Sequence, residues 1–288
     1  MPSTEAPGLR GDWLNGWLAA LGITVLLADA HLRWTGGGAP HAVIEHDGHS
    51  LAERVTEALP PPPDLARLVI AKEHPDSEAS FPRNVPLAAY RSRAALARRD
   101  HDWSLSSSVT DLGRDEGSEL AEHSPFDPPA PRGETLHDRV LRCRDALAGD
   151  IGGWVSGCLD GAGRRIKANG LGFDHRRLIA SGDAPVTFVD PVIELLAFFG
   201  LSFFTVRGTG RRSATRGWTG PPSRRGSFRW PVWAPSLDRW AVDALLDAFY
   251  AARARAQVTG VTGVYQTVPY APKASSDATR AFASERVP

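Results

Sequence analysis

An α+β fold is the class this sequence predicts, on three observations. Apolar stripes at helical spacing alternate with short strand-like runs, no repeat of fixed period occurs, and a 42% hydrophobic fraction with nine tryptophans is enough to build a core. A length of 288 residues allows one large domain or two interlocked halves. The expected organisation is a flexible leader over 1–11, one α+β domain over 12–268 and a flexible tail over 269–288, with 100–130 an ordered loop or insertion.

Asp12 is the expected N-cap of the first helix, which Leu14, Trp17, Leu18, Leu21, Val25 and Leu26 mark by their spacing. HAVIEHDG, after the glycines at 36–38, reads as a strand. A helix over Ser50–Leu59, the breaker PPPP at 60–63 and a strand RLVIAK follow. Val85–Arg99 is helical in pattern, and 100–130 is rich in Ser, Asp, Glu and Pro with Trp103 and Phe126 as anchors. Glu134–Ala148 resumes a helix, and GGWVSGCLDGAGRR, NGLGFDHRRLIA and PVTFVD read as turns and strands punctuated by glycine. Asp190 and Pro191 stand as N-cap and N1 of the helix VIELLAFFG, with Gly200 expected to cap its end. SFFTV and SFRWPVWA are expected strands flanking an arginine-rich loop, and Ser236–Ala256 is the last helix, with Leu237, Trp240, Leu245, Leu246 and Phe249 as its apolar residues.

Cys143 and Cys158 form no disulfide framework and read as small core residues of a protein in a reducing, cytoplasmic setting. The start MPSTEAPGLRGDW has no basic n-region and no uninterrupted apolar h-region, so a secretory signal is not expected. The longest apolar stretch, Leu18 to Leu32, contains Gly22, Asp29 and His31 and is too short and polar to span a bilayer.

Formal net charge is zero, so charge distribution matters more than the total. Between Leu195 and Leu237 there is no acidic residue, while Arg207, Arg211, Arg212, Arg216, Arg224, Arg225 and Arg229 all fall in a glycine-rich stretch. Trp218, Phe228, Trp230 and Trp233 are interleaved with them. Guanidinium groups on phosphates together with aromatic faces under bases build sequence-tolerant nucleic-acid grooves, so DNA or RNA is the expected partner, with Trp218 and Trp230 among the contacts. The plainer reading is a solvated hairpin whose aromatics serve the core. Only Lys72, Lys167 and Lys273 are lysines among 33 basic residues, so arginine is this chain's default cation and means less than usual. Residues 111–127 carry Asp111, Asp115, Glu116, Glu119, Glu122 and Asp127 against one arginine, and could pair with the basic segment or with a second copy of the chain.

Metal chemistry and catalysis are not expected. His41, His46 and His49, beside Glu45 and Asp47, point different ways on a strand and turn and match no ligand spacing. His101-Asp102 and His137-Asp138 are dipeptides without the further ligands that a phosphohydrolase needs; a metal-dependent nuclease would require these four to converge on one pocket. GTGRRSATRG lacks the GK[ST] ending of a P-loop, no GxSxG elbow is present, and neither cysteine sits in a familiar nucleophile's sequence. No cofactor is expected.

The blocks LNGWLAALGITVLLADAHLRW, NGLGFDHRRL, VDPVIELLAFFGLSFFTVRG and FRWPVW resemble the small accessory proteins of type I-G (formerly I-U) CRISPR systems, found beside or fused to the helicase-nuclease. None of these blocks is a catalytic signature. The resemblance implies a non-enzymatic role in antiviral DNA interference, with a CRISPR effector or helicase-nuclease subunit as protein partner and the arginine loop touching nucleic acid or that partner. A purely structural adaptor is the other reading, in which the arginines would be paired with acidic groups.

Overall fold

The computed structural model describes residues 1–69, 109–110, 122–123, 126, 136–172, 178–179, 186–204, 206–208, 213–219, 227–251, 258–270 and 281–288. The described elements make an α+β fold of helices and small antiparallel sheets. The expected helix at 85–99, Trp103 and the end of the strand expected at 67–72 lie outside the described residues, wholly or in part.

The expected leader is a strand. β1 (Ser3–Arg10) pairs antiparallel with β3 (His41–Glu45), which also pairs with β2 (His31–Trp34). Little in STEAPGLR favours extended structure. The partner strand and the burial of Ala6 and Leu9 supply what local propensity does not. The pairing register shifts between Ala6 and Arg10, and a Cβ added at Gly8 would lie 1.8 Å from the Cys158 carbonyl oxygen, so only glycine fits there.

Helix α1 (Leu14–Leu26) follows, buried from Leu14 through Thr24. Its N-cap is Trp13, without a capping side chain, because the expected cap Asp12 is taken by Arg10, whose Nε donates to it at 2.9 Å. Helix α2 (Leu51–Ala58) has a full capping box between Ser50 and Glu53. The proline breaker starts a helix instead of a strand. α3 (Pro62–Val69) places Pro62 where a missing N–H costs nothing.

Helix α4 (Leu136–Asp145) matches its expected place, and Cys143 on it is buried. The expected turn at GGWVSGCL is helix α5 (Ile151–Leu159), because Asp150 accepts from Gly153 N at 3.0 Å and overrides two early glycines. Strands β6 (Ile166–Lys167), β7 (Leu178–Ile179) and β8 (Val186–Val189) form a small sheet ordered β6-β8-β7.

Helix α6 (Pro191–Gly200) begins as expected. Asp190 accepts from Val192 N at 2.9 Å and Ile193 N at 3.4 Å. All ten of its residues are buried, Glu194 included. Glu194 is satisfied there by Asn15 Nδ2 at 2.7 Å and Leu171 N at 2.6 Å. Gly200 does not cap the helix. It has an ordinary helical φ of −61°, and a 3₁₀ turn over Leu201–Phe203 continues where a strand was expected. The glycine instead lies against α1, where its own Cβ would meet Leu18 O.

Strands β4 (Val109–Thr110) and β5 (Glu122–His123) pair with each other, and Phe126 just after them is the anchor its sequence position suggested. Its ring lies 5.0 Å from Phe228 and 5.5 Å from both Phe204 and Trp218.

The last third carries β9 (Val206–Gly208), β10 (Ser213–Thr215), β11 (Trp218–Thr219) and β12 (Ser227–Trp233), then helix α7 (Arg239–Ala251), β13 (Val261–Tyr270) and β14 (Ala281–Val287). β11, β12, β13 and β14 form one antiparallel sheet, so the expected flexible tail ends in an edge strand paired along its length to β13. Residues 271–280 lie outside the described set.

One apolar cluster runs from Ala6 to Tyr265. Three indoles tie the chain's ends together across it. Trp17 donates to Pro231 O at 2.8 Å, Trp230 to Gly11 O at 2.8 Å and Trp233 to Leu32 O at 2.9 Å. Leu32 and Leu237 add an isolated antiparallel bridge. Cys158 is buried in the same cluster, and no described helix is long and apolar enough to cross a membrane.

Candidate nucleic-acid interface

The basic segment is built as two strand pairings joined at a turn. Ser213 pairs with Gly208 and closes the connection 209–212, which carries Arg211 and Arg212 in sequence. Thr219 pairs with Ser227 and closes the connection 220–226, which carries Arg224 and Arg225. Arg216-Gly217 is the turn between β10 and β11. Gly217 has φ +80°, and a Cβ there would fall 2.4 Å from the Phe228 ring and 2.7 Å from that of Tyr250.

Arg207 is in β9, paired with Ala214. Arg211, Arg212, Arg224 and Arg225 lie outside the described residues. Arg229 is exposed on β12, its Nε donating to Gln266 Oε1 at 3.1 Å on the neighbouring strand.

Three of the expected contacts belong elsewhere. Trp230 is fully buried, stacked between Phe228 at 6.0 Å and Tyr265 at 6.0 Å with its indole N–H spent on Gly11, so no base can reach either face. Trp218 is half-buried, its ring 5.5 Å from Phe126 and 5.9 Å from Phe228. Arg216 has a side chain only 7% exposed. Its Nη1 donates to Phe203 O at 3.1 Å and Asp243 Oδ1 at 2.5 Å, its Nη2 to Asp243 O at 2.8 Å, and Asp247 completes the set. Two carboxylates therefore neutralise it, and it holds the hairpin root to α7.

The exposed aromatic is one that the sequence places only among the apolar residues of the last helix. Trp240 on α7 is 66% exposed, with the Arg239 guanidinium 5.2 Å from its ring centre. It falls at i, i+3 and i+7 with Asp243 and Asp247, on the helix face that holds Arg216. The buried stripe of α7 is Val242 and Leu246. A sequence reading could have found this: Trp240 sits two residues out of step with that pair, and Arg239 beside it is charged.

The histidines near β3 serve strand pairing. His41 Nε2 lies 3.1 Å from Glu5 Oε2 on β1, and buried His46 lies 3.1 Å from Thr4 Oγ1. Among the described residues no group of three His, Cys, Asp or Glu is arranged to hold a metal. Asp138 is exposed in the first turn of α4, while His101 and Asp102 lie outside the described residues.

The carboxylate that burial raises is structural. Burial pushes Asp190 up to about 6 against the pull of the Val192 and Ile193 amides, Arg165 and the Cys158 thiol. The same burial raises Cys158 well above its ordinary value, which keeps it an unreactive thiol. No protein-family model, curated protein or solved structure matches this chain.

Proposed function

We propose that the chain is a non-enzymatic accessory protein that contacts nucleic acid through the two arginine-bearing connections 209–212 and 220–226, with Trp240, on the α7 face that holds Arg216, as the exposed aromatic. The observation that carries this reading is the strand pairing at Gly208–Ser213 and Thr219–Ser227. The described ends of both dibasic connections are thereby held in strand pairs, and Trp240 is the one tryptophan that is exposed among the described residues. Arg207 and Arg229 extend the charge along the strands, while Arg216, Trp218 and Trp230 serve as its scaffold. The likeness to type I-G CRISPR accessory proteins supports a place in RNA-guided antiviral defence, next to an effector or helicase-nuclease subunit.

The test is binding of single-stranded and double-stranded DNA and RNA across a salt series. The comparison is with a variant carrying Arg211, Arg212, Arg224 and Arg225 as alanine, and with Trp240→Ala. Each released phosphate contact lowers the slope of log affinity against log salt by roughly 0.7 to 0.9, so the fourfold variant is expected to be shallower by up to about 3. Trp240→Ala is expected to weaken single-strand binding by about 1–3 kcal/mol with the slope unchanged. Binding indifferent to both would transfer the surface to an acidic protein partner, the adaptor reading that the Arg216 carboxylate pairs favour.

A further inference from the structure

We infer that the cleft between the β2–β3 turn and the C-terminal sheet is a binding site for a phosphate monoester, separate from the arginine connections. The cleft measures about 210 Å³ and lies between Gly36–Gly38 on one side and Val232, Gly263, Tyr265 and Arg286 on the other. That is smaller than the usual range for drug-sized ligands, so it suits a phosphate group with at most a small body attached.

The strand register assembles it. Trp230 pairs with Tyr265 and Tyr265 with Arg286, so these three stand on one face of the sheet, the face turned to the core. Trp230 and Tyr265 are buried, but Arg286 stands on the edge strand and is exposed. Two residues along, on the same face, Val232 faces Gly263, whose missing side chain opens the floor. A Cβ at Gly263 would lie 3.1 Å from Val232, 3.7 Å from the Tyr265 ring and 3.9 Å from Arg286 Nη2. The guanidinium thus overhangs a hollow.

Thr35 and Thr262 also line the hollow, but the Thr35 amide is spent on His41 O and the Thr262 hydroxyl on Val232 O, whereas the side-chain donors of Arg286 and Tyr265 and the turn amides are unspent among the described residues. Arg286 makes no ion pair or hydrogen bond there, and neither does the hydroxyl of Tyr265, a residue only 4% exposed that lines the cleft. The amides of Gly36, Gly37 and Gly38 make none either, and a Cβ at any of the three would meet nothing within 4 Å. Gly37 has φ +101°, a conformation that lets successive amides turn toward one point. Burial and the Asp12 carboxylate raise the Tyr265 phenol, against the pull of Arg286 and Arg10, so it stays protonated and can donate. Arg10 is occupied by Asp12, which leaves Arg286 as the cation. A planar fork, a phenol and turn amides reach the hollow from three sides. That number of donors fits a tetrahedral oxyanion better than a carboxylate.

The test is a titration of the full chain with methyl phosphate, followed by phosphorus NMR and by the shift in melting temperature, with acetate in parallel. Saturable phosphate binding is expected, at least about tenfold weaker in Arg286→Gln and severalfold weaker in Tyr265→Phe. The variant with Arg211, Arg212, Arg224 and Arg225 as alanine is expected to bind as wild type, so this site and the nucleic-acid surface fail independently. A short oligonucleotide with and without a 5′-phosphate separates two sources. A preference for the phosphorylated strand that depends on Arg286 identifies a strand end, and its absence alongside methyl phosphate binding identifies a small free phosphate. Equal binding by Arg286→Gln, acetate binding as tightly as methyl phosphate, or no saturation with methyl phosphate would each overturn the assignment.

Discussion

Gly22 and Gly200 face one another across the crossing of α1 and α6. A Cβ on Gly22 would lie 1.8 Å from Leu196 O, and one on Gly200 would lie 2.1 Å from Leu18 O. The two helices touch backbone to backbone, and neither position has room for a methyl group. Gly22→Ala or Gly200→Ala is therefore expected to destabilise the fold by about 3 kcal/mol or more, despite the better helix propensity of alanine. Chemical denaturation monitored by tryptophan fluorescence would read it. A variant as stable as wild type would show that the crossing relaxes.

Arg216 and the loop arginines should separate in experiment. Arg216→Met keeps the length of the stem but loses the fork to Phe203 O, Asp243 and Asp247. The carboxylates left behind are 47% and 60% exposed and are rehydrated, so the expected loss is about 1–3 kcal/mol of stability. The salt slope of nucleic-acid binding is expected to stay as in wild type, because this charge is already neutralised. A slope reduced by about 1 would return Arg216 to the interface.

Trp230→Phe removes the donor to Gly11 O while keeping an aromatic ring between Phe228 and Tyr265. The carbonyl left unpaired in the core and the lost ring volume give an expected cost of about 2–4 kcal/mol. Affinity for nucleic acid, measured where both proteins are folded, is expected to be unchanged.

Asp190 sets a pH dependence of known sign. Its carboxyl is raised from 3.8 to about 6 by burial, so the folded chain holds this proton more tightly than the unfolded one. The associated stability is complete below about pH 4 and is lost as pH rises through about 6. Asp190→Asn keeps an N-cap acceptor for Val192 N and is expected to flatten that fall, leaving the variant less pH-sensitive over this window. Denaturation midpoints at pH 4, 5, 6 and 7 decide it, and parallel profiles for the two proteins would contradict it.

Where a local signal set the structure, sequence reading reached it. The helix expected over Ser50–Leu59 and the start at Asp190 with Pro191 are used by the fold as written, since a capping side chain and a fixed φ act within one turn. Phe126 was legible as an anchor, and both cysteines as core residues. What failed depended on distant partners. β1 exists because β3 pairs with it, and β14 because β13 does, and neither segment is strand-like by composition. Gly200 looked like a helix end because the Leu18 carbonyl that demands glycine is far away in sequence. At the basic segment the charges were legible, but which aromatics were free was not: Trp230 and Trp240 look alike in sequence and differ only in which side of an element faces the core.

The three indole hydrogen bonds from Trp17, Trp230 and Trp233 also dictate when the molecule can exist. They close sequence separations of 214, 219 and 201 residues, so these three ties from β12 to the N-terminal segment cannot form until most of the chain has been made. Loop-closure entropy is spent before those contacts return anything, which makes for slow folding of a chain whose α6 is apolar but for Glu194. A truncation that removes β12 would remove all three ties at once and leave the N-terminal sheet and α1 closed only by each other and α6.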